Sequence, residues 1–297
     1  MILNDQELNL RKAELNDRDQ MVRLLQKRSF IHRHLGWFSP LEWLGEQPYL
    51  VLDNQSRISA ALACPPDDDG ITWLHLFAVT PGMLIPQAWK ALWPPALEWL
   101  EEYTTVRQVN SLVVQDKMND LLSKSGFQEA YQVVILVWDA VHAKWPEKKE
   151  KHFVREMESE DFLRVYEIDQ VAFDPIWRNS LRHIEAAFQE KISASVVVIK
   201  DQIAGYQIST INPQGGHLAR LAVDPQYQKS GVGSALVKDL LDRFQWEGIV
   251  QVSVNTQARN QASLELYKKF GFTRMEEIYP VYQYTINRNN NSREEGG

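Results

Sequence analysis

In the second half of the 297-residue chain, an apolar run ends at Leu221-Ala222-Val223 and Asp224-Pro225, and Gln228-Lys229-Ser230-Gly231-Val232-Gly233-Ser234 follows. After Gly231 the apolar residues Val232, Leu236, Val237, Leu240, Leu241 and Phe244 recur at helical spacing. Strand, glycine loop and helix N-terminus is an order with a chemical use. Free backbone N–H groups and the positive end of the helix dipole attract an anion, and glycines let a phosphate approach the backbone. Lys229 adds a charge. The loop is not a Walker A sequence, and it is not a dinucleotide fingerprint, whose third glycine would fall at Leu236. Taken alone, a Gly-x-Gly pair is more often only a tight strand-to-helix turn.

The elements that must position this loop can be read around it. Strands are predicted at 153–157, 193–200, 203–211, 217–223, 249–254, 272–274 and 279–286, and helices at 160–173, 179–190, from 231 onward and at 260–270. Asp201-Gln202 marks a hairpin turn, and Gly271 sits where a helix C-cap is expected. The chain also repeats itself. Leu76-Phe77-Ala78-Val79-Thr80-Pro81 aligns with Arg220-Leu221-Ala222-Val223-Asp224-Pro225 at an offset of 144. Further matches keep that offset within one residue: Ala13 and Asp17 with Met157 and Asp161, Ile58-Ser59-Ala60 with Ile203-Ala204-Gly205, and Gly126-Phe127 with Gly271-Phe272. Two homologous halves are therefore expected. The expected division is a first domain over 1–140, a polar linker over 141–151, a second domain over 152–287 and a disordered tail over 288–297.

Gln228-x-x-Gly231-x-Gly233, with Leu221-Ala222-Val223-x-Pro225 before it and Asn260-x-Ala262-x-x-x-x-Tyr267-x-x-x-Gly271-Phe272 after it, resembles the GNAT superfamily of acyl-CoA-dependent N-acetyltransferases. The resemblance covers residues 152–287 and, through the repeat, extends weakly over the first half. It implies an α/β (α+β) fold of two tandem GNAT-like domains, each a mixed, mostly antiparallel sheet flanked by helices. It implies acetyl-CoA as co-substrate and an amine-bearing small molecule or peptide as acceptor, attacked directly in a ternary complex. Backbone groups of Leu221, Ala222 and Val223 would pair with the pantetheine arm, and Gln228, Lys229, Ser230, Gly231, Val232, Gly233 and Ser234 would wrap the pyrophosphate. Asn260 would help hold the arm, and Tyr267 would protonate the departing thiolate. His217 stands 11 residues before Gln228, in the strand where many relatives carry a glutamate base, and is the candidate base. Gln251, Ser253 and Asn255 on the next strand are candidates to hold a bridging water.

Composition narrows the class. A net charge of −7, from 32 Lys+Arg against 39 Asp+Glu, argues against nucleic acid as partner. The apolar stretches are too short for a bilayer span and the first residues lack an apolar signal core, so neither membrane association nor export by that route is expected. The single cysteine, Cys64, offers no internal disulfide and no cysteine-built metal site, so the cytoplasm is expected and no metal is. A monomer or homodimer is expected. An acyl-CoA-binding regulatory protein without turnover is the alternative function, and an interaction protein in which neither half binds CoA is the third.

The first half serves as an internal control. Projected by the repeat, Pro86, Gln87 and Trp89 stand at the positions of Ser230, Gly231 and Gly233, and Leu122 stands at that of Tyr267. Such a segment has neither the glycines nor the phenol, so the first half is expected to have lost cofactor binding. Pro94-Pro95 is expected to break its helix. The tryptophans Trp73, Trp89, Trp93 and Trp99 are expected in a core or an interface, and Asp67-Asp68-Asp69 in a solvated turn.

Overall fold

The same pair of charges shapes the first turn of both halves. Arg11 grips Asp17 with two hydrogen bonds of 2.7 and 2.8 Å, and Asp17 also accepts the Glu14 N–H at 2.8 Å. At the offset of 144, Arg155 grips Asp161 at 2.7 and 2.8 Å, and Asp161 accepts the Glu158 N–H at 2.9 Å. The Arg11 side chain holds the Asp17 carboxyl below its usual range against the opposing effect of burial. In each half the aspartate closes a reciprocal capping box on a short 3-10 turn that leads into the first helix.

The computed structural model describes residues 8–26, 29–54, 57–66, 70–102, 106–142 and 152–286. Its first half contains β1 (Asn9–Lys12), α1 (Arg18–Gln26), β2 (Phe30–Arg33), β3 (Tyr49–Asp53), β4 (Ile58–Ala63), β5 (Ile71–Trp73), β6 (Leu76–Val79), α2 (Ile85–Glu102), β7 (Gln108–Leu112), α3 (Lys117–Lys124) and β8 (Gln128–Asp139). The second half contains β9 (Phe153–Glu156), α4 (Phe162–Ala172), α5 (Leu181–Gln189), β10 (Ser193–Ile199), β11 (Gln202–Asn212), β12 (Gly215–Val223), α6 (Val232–Trp246), β13 (Gln251–Gln257), α7 (Gln261–Lys269) and β14 (Thr273–Thr285). The expected order of elements holds, with β14 a single strand where two short ones were expected. The β10–β11 turn is formed by Lys200 and Asp201, at φ 49° and 59°, one residue earlier than Asp201-Gln202. The acidic triplet Asp67–Asp69, most of the 141–151 segment and the tail from 288 lie outside the described residues.

The chain forms two compact units, and they do not follow the expected boundaries. One holds residues up to Ala130 together with those from Pro280 onward; the other is Tyr131–Tyr279. In the first unit, β1-β3-β4-β6-β2 form an antiparallel sheet, β5 runs parallel to β7, and Val281–Thr285 pair with Leu112–Gln108. Tyr282, Tyr284 and Ile286 pack into its core with Trp89, Trp93, Leu100 and Phe127. In the second unit the order is β8-β13-β12-β11-β10-β9. β8 pairs with all of β13, and Val134, Leu136 and Trp138 fill the core beside Leu218, Leu240, Phe244 and Val254. The division at residue 140 is therefore corrected. Each unit takes its closing strand from the other half of the repeat, because alternate apolar residues of a strand only require a core to enter, not the nearest one.

The proline pair does not break α2, which runs through Pro94 and Pro95 over 18 residues. Interior proline costs ~3 kcal/mol or more. Burial of Trp89, Leu92, Trp93 and Leu100, each contributing ~1.5–3 kcal/mol, offsets it. Trp89 stacks on Trp93 with ring centroids 5.4 Å apart, so these tryptophans belong to the core. Among the described residues, no helix is long and apolar enough to cross a membrane.

Candidate active site

Three features of β12 create the site. A register shift opposite Ile208 and Ser209 leaves Ala219 as an extra residue, a bulge that turns the strand. Before the bulge, Gly216, His217 and Leu218 pair in parallel with Val252, Ser253 and Val254 of β13. Beyond it the pairing with β13 stops, while β12 stays paired with β11 up to Val223 and β13 stays paired with β8 up to Gln257. The two strands thus part, and among the described residues the β13-side edge of Leu221, Ala222 and Val223 carries no strand. Unpaired N–H and C=O groups on such an edge accept an extended chain of matching polarity.

The first unit shows what this edge looks like when filled. There β5 pairs with β7 over Ile71–Trp73, and β6 then parts from it as β12 parts from β13. β2 lies along the vacated edge of β6, with Phe30 opposite Val79 and Arg33 opposite Leu76. A strand of the unit itself occupies the place that is open in the second unit.

The loop after β12 begins at the buried Asp224, which accepts the Gln226 N–H at 2.9 Å and an Arg164 N–H at 2.5 Å. Gln228 is exposed, its amide 3.5 Å from the Val223 carbonyl. Lys229 is exposed and sits at φ 60°, and Gly231, at φ 104°, caps α6. An L-residue at Gly231 would be strained, and its Cβ would lie 3.3 Å from the His152 ring. Gly233 has a different reason: a Cβ there would lie 3.2 Å from Leu266, so its small size lets α7 approach α6. The first bond of α6 runs from Ala235 N to Gly231 O. The N–H groups of Val232, Gly233 and Ser234 precede it and are orphan donors of the helix end. Ser230 donates its hydroxyl to Tyr227 O at 2.6 Å. Lys269, which the sequence reading missed, brings its ammonium to 2.9 Å from Ser234 Oγ. Nothing local in the sequence couples these two residues, which are 35 positions apart.

Tyr267 is buried in the core against Phe272, with centroids 5.4 Å apart, and burial pushes its phenol up, keeping it in the O–H form. Asn260 caps α7, its Oδ1 accepting the Ser263 N–H at 3.1 Å while its amide donates to Gln257 Oε1 at 3.2 Å. On the β13 side, His217 Nδ1 lies 2.9 Å from Ser253 Oγ, so two of the candidates meet. Gln251 and Asn255 are exposed on the same strand. Burial lowers the His217 pKa, and the bond with Ser253 only partly opposes this, so the imidazole is neutral at pH 7.

A second group that the sequence reading missed lies under α4. Asp169, fully buried, accepts two bonds from Arg220 at 2.8 and 2.7 Å, the Tyr206 hydroxyl, and the Asn179 N–H at 2.7 Å. Arg220 also donates to the Trp177 carbonyl at 2.6 Å and lies over the Phe173 ring. Burial alone would lower the Arg220 pKa, but the neighbouring Asp169 raises it, so the guanidinium keeps its charge. The network fixes the segment between α4 and α5. Arg220 was visible in the repeat, but its partner is 51 residues away in sequence. Among the described residues, no group of three or more His, Cys, Asp or Glu is placed to hold a metal ion.

Residues 153–272 match the Acetyltransferase (GNAT) family. This segment is a GNAT domain. It is similar to the [ribosomal protein bS18]-alanine N-acetyltransferase of Escherichia coli (strain K12), with 27% identity over 119 residues that span 40% of this chain and 79% of that protein. Over both units the chain shares its fold with a GCN5-related N-acetyltransferase from Sphaerobacter thermophilus, at a TM-score of 0.63 and 14% identity, covering 96% of this chain and 97% of that one. A tandem GNAT protein from the clavulanic acid biosynthesis pathway matches with a TM-score of 0.63 and 12% identity, covering 96% and 100%. The chain thus has a tandem GNAT fold, and its GNAT domain makes it a GNAT-type acyltransferase.

Proposed function

We propose that the GNAT domain transfers an acetyl group from acetyl-CoA to a primary amine by direct attack, and that the first unit binds no acetyl-CoA. The observation that carries this reading is the open edge of β12 leading into the glycine-capped end of α6, beside its filled counterpart at β6. Acetyl-CoA supplies the activated acyl group, and the residues present fit it. The edge at Leu221–Val223 pairs with an extended amide-bearing arm, the orphan N–H groups at 232–234 with Lys229 and Lys269 receive a pyrophosphate, and Gly231 supplies the left-handed conformation that the helix cap requires. A backbone N–H of the edge holds the thioester oxygen as negative charge develops there. Neutral His217 takes the proton that the amine loses as its nitrogen bonds to the carbonyl carbon. Tyr267 gives its proton to the sulfur as the carbon–sulfur bond breaks. Asn260 acts by capping α7, the helix that carries Tyr267.

The similarity to an enzyme named for the alanine of a ribosomal protein makes a peptide N-terminal amine the first acceptor class to try. The test is release of CoA thiol from acetyl-CoA when alanine-terminated peptides or small primary amines are added. Tight binding with no release from any acceptor would favour an acyl-CoA-binding protein without turnover.

Two variants probe the proton path. Tyr267→Phe is expected to lower kcat about 100-fold or more while the acetyl-CoA Kd stays within about threefold; an equal rate removes the acid role. For His217 the sign follows from its lowered pKa. The base form is lost only as pH falls below the ordinary histidine value of 6.5, so the acid limb of kcat/KM lies below pH 6.5. His217→Ala is expected to abolish that limb, and an unaltered profile retires His217 as the base.

A further inference from the structure

We infer that His152 is a cofactor-positioning residue that aims the Gly231 amide into the anion cradle, an inference that rests on the reading of the loop given above. Around a bound anion the loop's N–H groups must point inward, so the carbonyls between them must point outward and find donors of their own. The carbonyl and N–H of one planar trans peptide point in opposite directions. In the Ser230–Gly231 peptide the carbonyl lies 2.9 Å from His152 Nε2. A carbonyl oxygen only accepts, so Nε2 carries the proton and donates. With that oxygen held on the His152 side, the Gly231 N–H faces the other way, toward the first turn of α6.

Two further observations join His152 to the loop. The Cβ that Gly231 lacks would stand 3.3 Å from the same Nε2 atom, so the imidazole and the missing side chain fit one another. His152 directly precedes β9, whose pairing with β10 fixes its position 78 residues away in sequence from Ser230. The internal repeat adds a comparison: at the offset of 144, Gly231 projects onto Gln87 and His152 onto Leu8, which has no donor. The glycine and the imidazole are replaced together in the half whose β6 edge is filled.

The test is calorimetric titration of the full chain with acetyl-CoA for wild type, His152→Ala, His152→Gln and His152→Phe, with Gly231→Trp alongside. Loss of one directed hydrogen bond on a partly exposed loop predicts that His152→Ala binds about 5- to 20-fold more weakly. His152→Gln, whose amide can donate, is expected to return to within about threefold of wild type. His152→Phe, which fills the space without a donor, is expected to stay as weak as alanine. Wild-type affinity in His152→Ala or His152→Phe, or a glutamine variant as weak as alanine, overturns the inference. Wild type that binds no acetyl-CoA, or Gly231→Trp that binds normally, overturns the reading of the loop and this inference with it. Normal His152→Ala binding beside a dead Gly231→Trp removes this inference alone.

Discussion

Gly231→Trp is expected to abolish acetyl-CoA binding, raising Kd by at least about 1000-fold, while the thermal unfolding of the protein changes little. At φ 104° any L-residue is strained, by roughly 1–2 kcal/mol. Free and bound protein carry that strain alike, so it lowers the melting temperature by only a few degrees and does not itself weaken binding. The larger effect is steric. The indole starts from a Cβ already 3.3 Å from His152, so seating it moves the loop and takes the orphan N–H groups at the helix end out of line. The loop around it, 228–230, is exposed and contributes little to the core, so the fold tolerates the change. Titration calorimetry checks both parts, and wild type should take up one acetyl-CoA per chain. Two sites per chain would mean that the first unit also binds, despite β2 on its β6 edge.

The second large effect concerns where the GNAT domain can be cut. A fragment of residues 153–297, cut at the start of β9 and so close to the boundary the repeat suggests, is expected not to fold, whereas residues 131–279 are expected to fold and bind acetyl-CoA. The shorter start removes β8, and with it Val134, Leu136 and Trp138, none more than 3% exposed. At ~2–5 kcal/mol for each such side chain, the loss is comparable to the ~5–15 kcal/mol that holds a whole domain folded. It also strips the ladder from all seven residues of β13. Circular dichroism melting of the two fragments decides the matter. A cooperative melt from 153–297 would show that β8 is dispensable.

These two predictions mark what the sequence made legible and what it hid. The loop at 228–234 and the helix after it are written in short windows, because glycine conformation and helical spacing are local. The repeat announced two units for the same reason. Strand exchange was not legible: Val134, Leu136 and Trp138 alternate as they would for either core, and only the folded chain selects the partner. The same holds for Phe30–Arg33, which occupies an edge 40 to 50 residues further along the chain. Pro94-Pro95 misled because local propensity was outweighed by the burial of Trp89 and Trp93. Asp169 and His152 escaped notice because each acts on a partner more than 50 residues away.

The exchanged strands also set an order of events during synthesis. β8 leaves the ribosome more than 110 residues before β13, the strand it pairs with, and at ~5–20 residues per second that is a wait of roughly 6–24 s. Through that interval the apolar side of β8 has no core to enter. The first unit waits longer still, since Tyr282, Tyr284 and Ile286 follow the end of β7 by 170 residues or more. A nascent chain of this design presents β8 without its partner strand to chaperones for more than 110 residues of synthesis, so the second unit cannot close its sheet before β13 has been made.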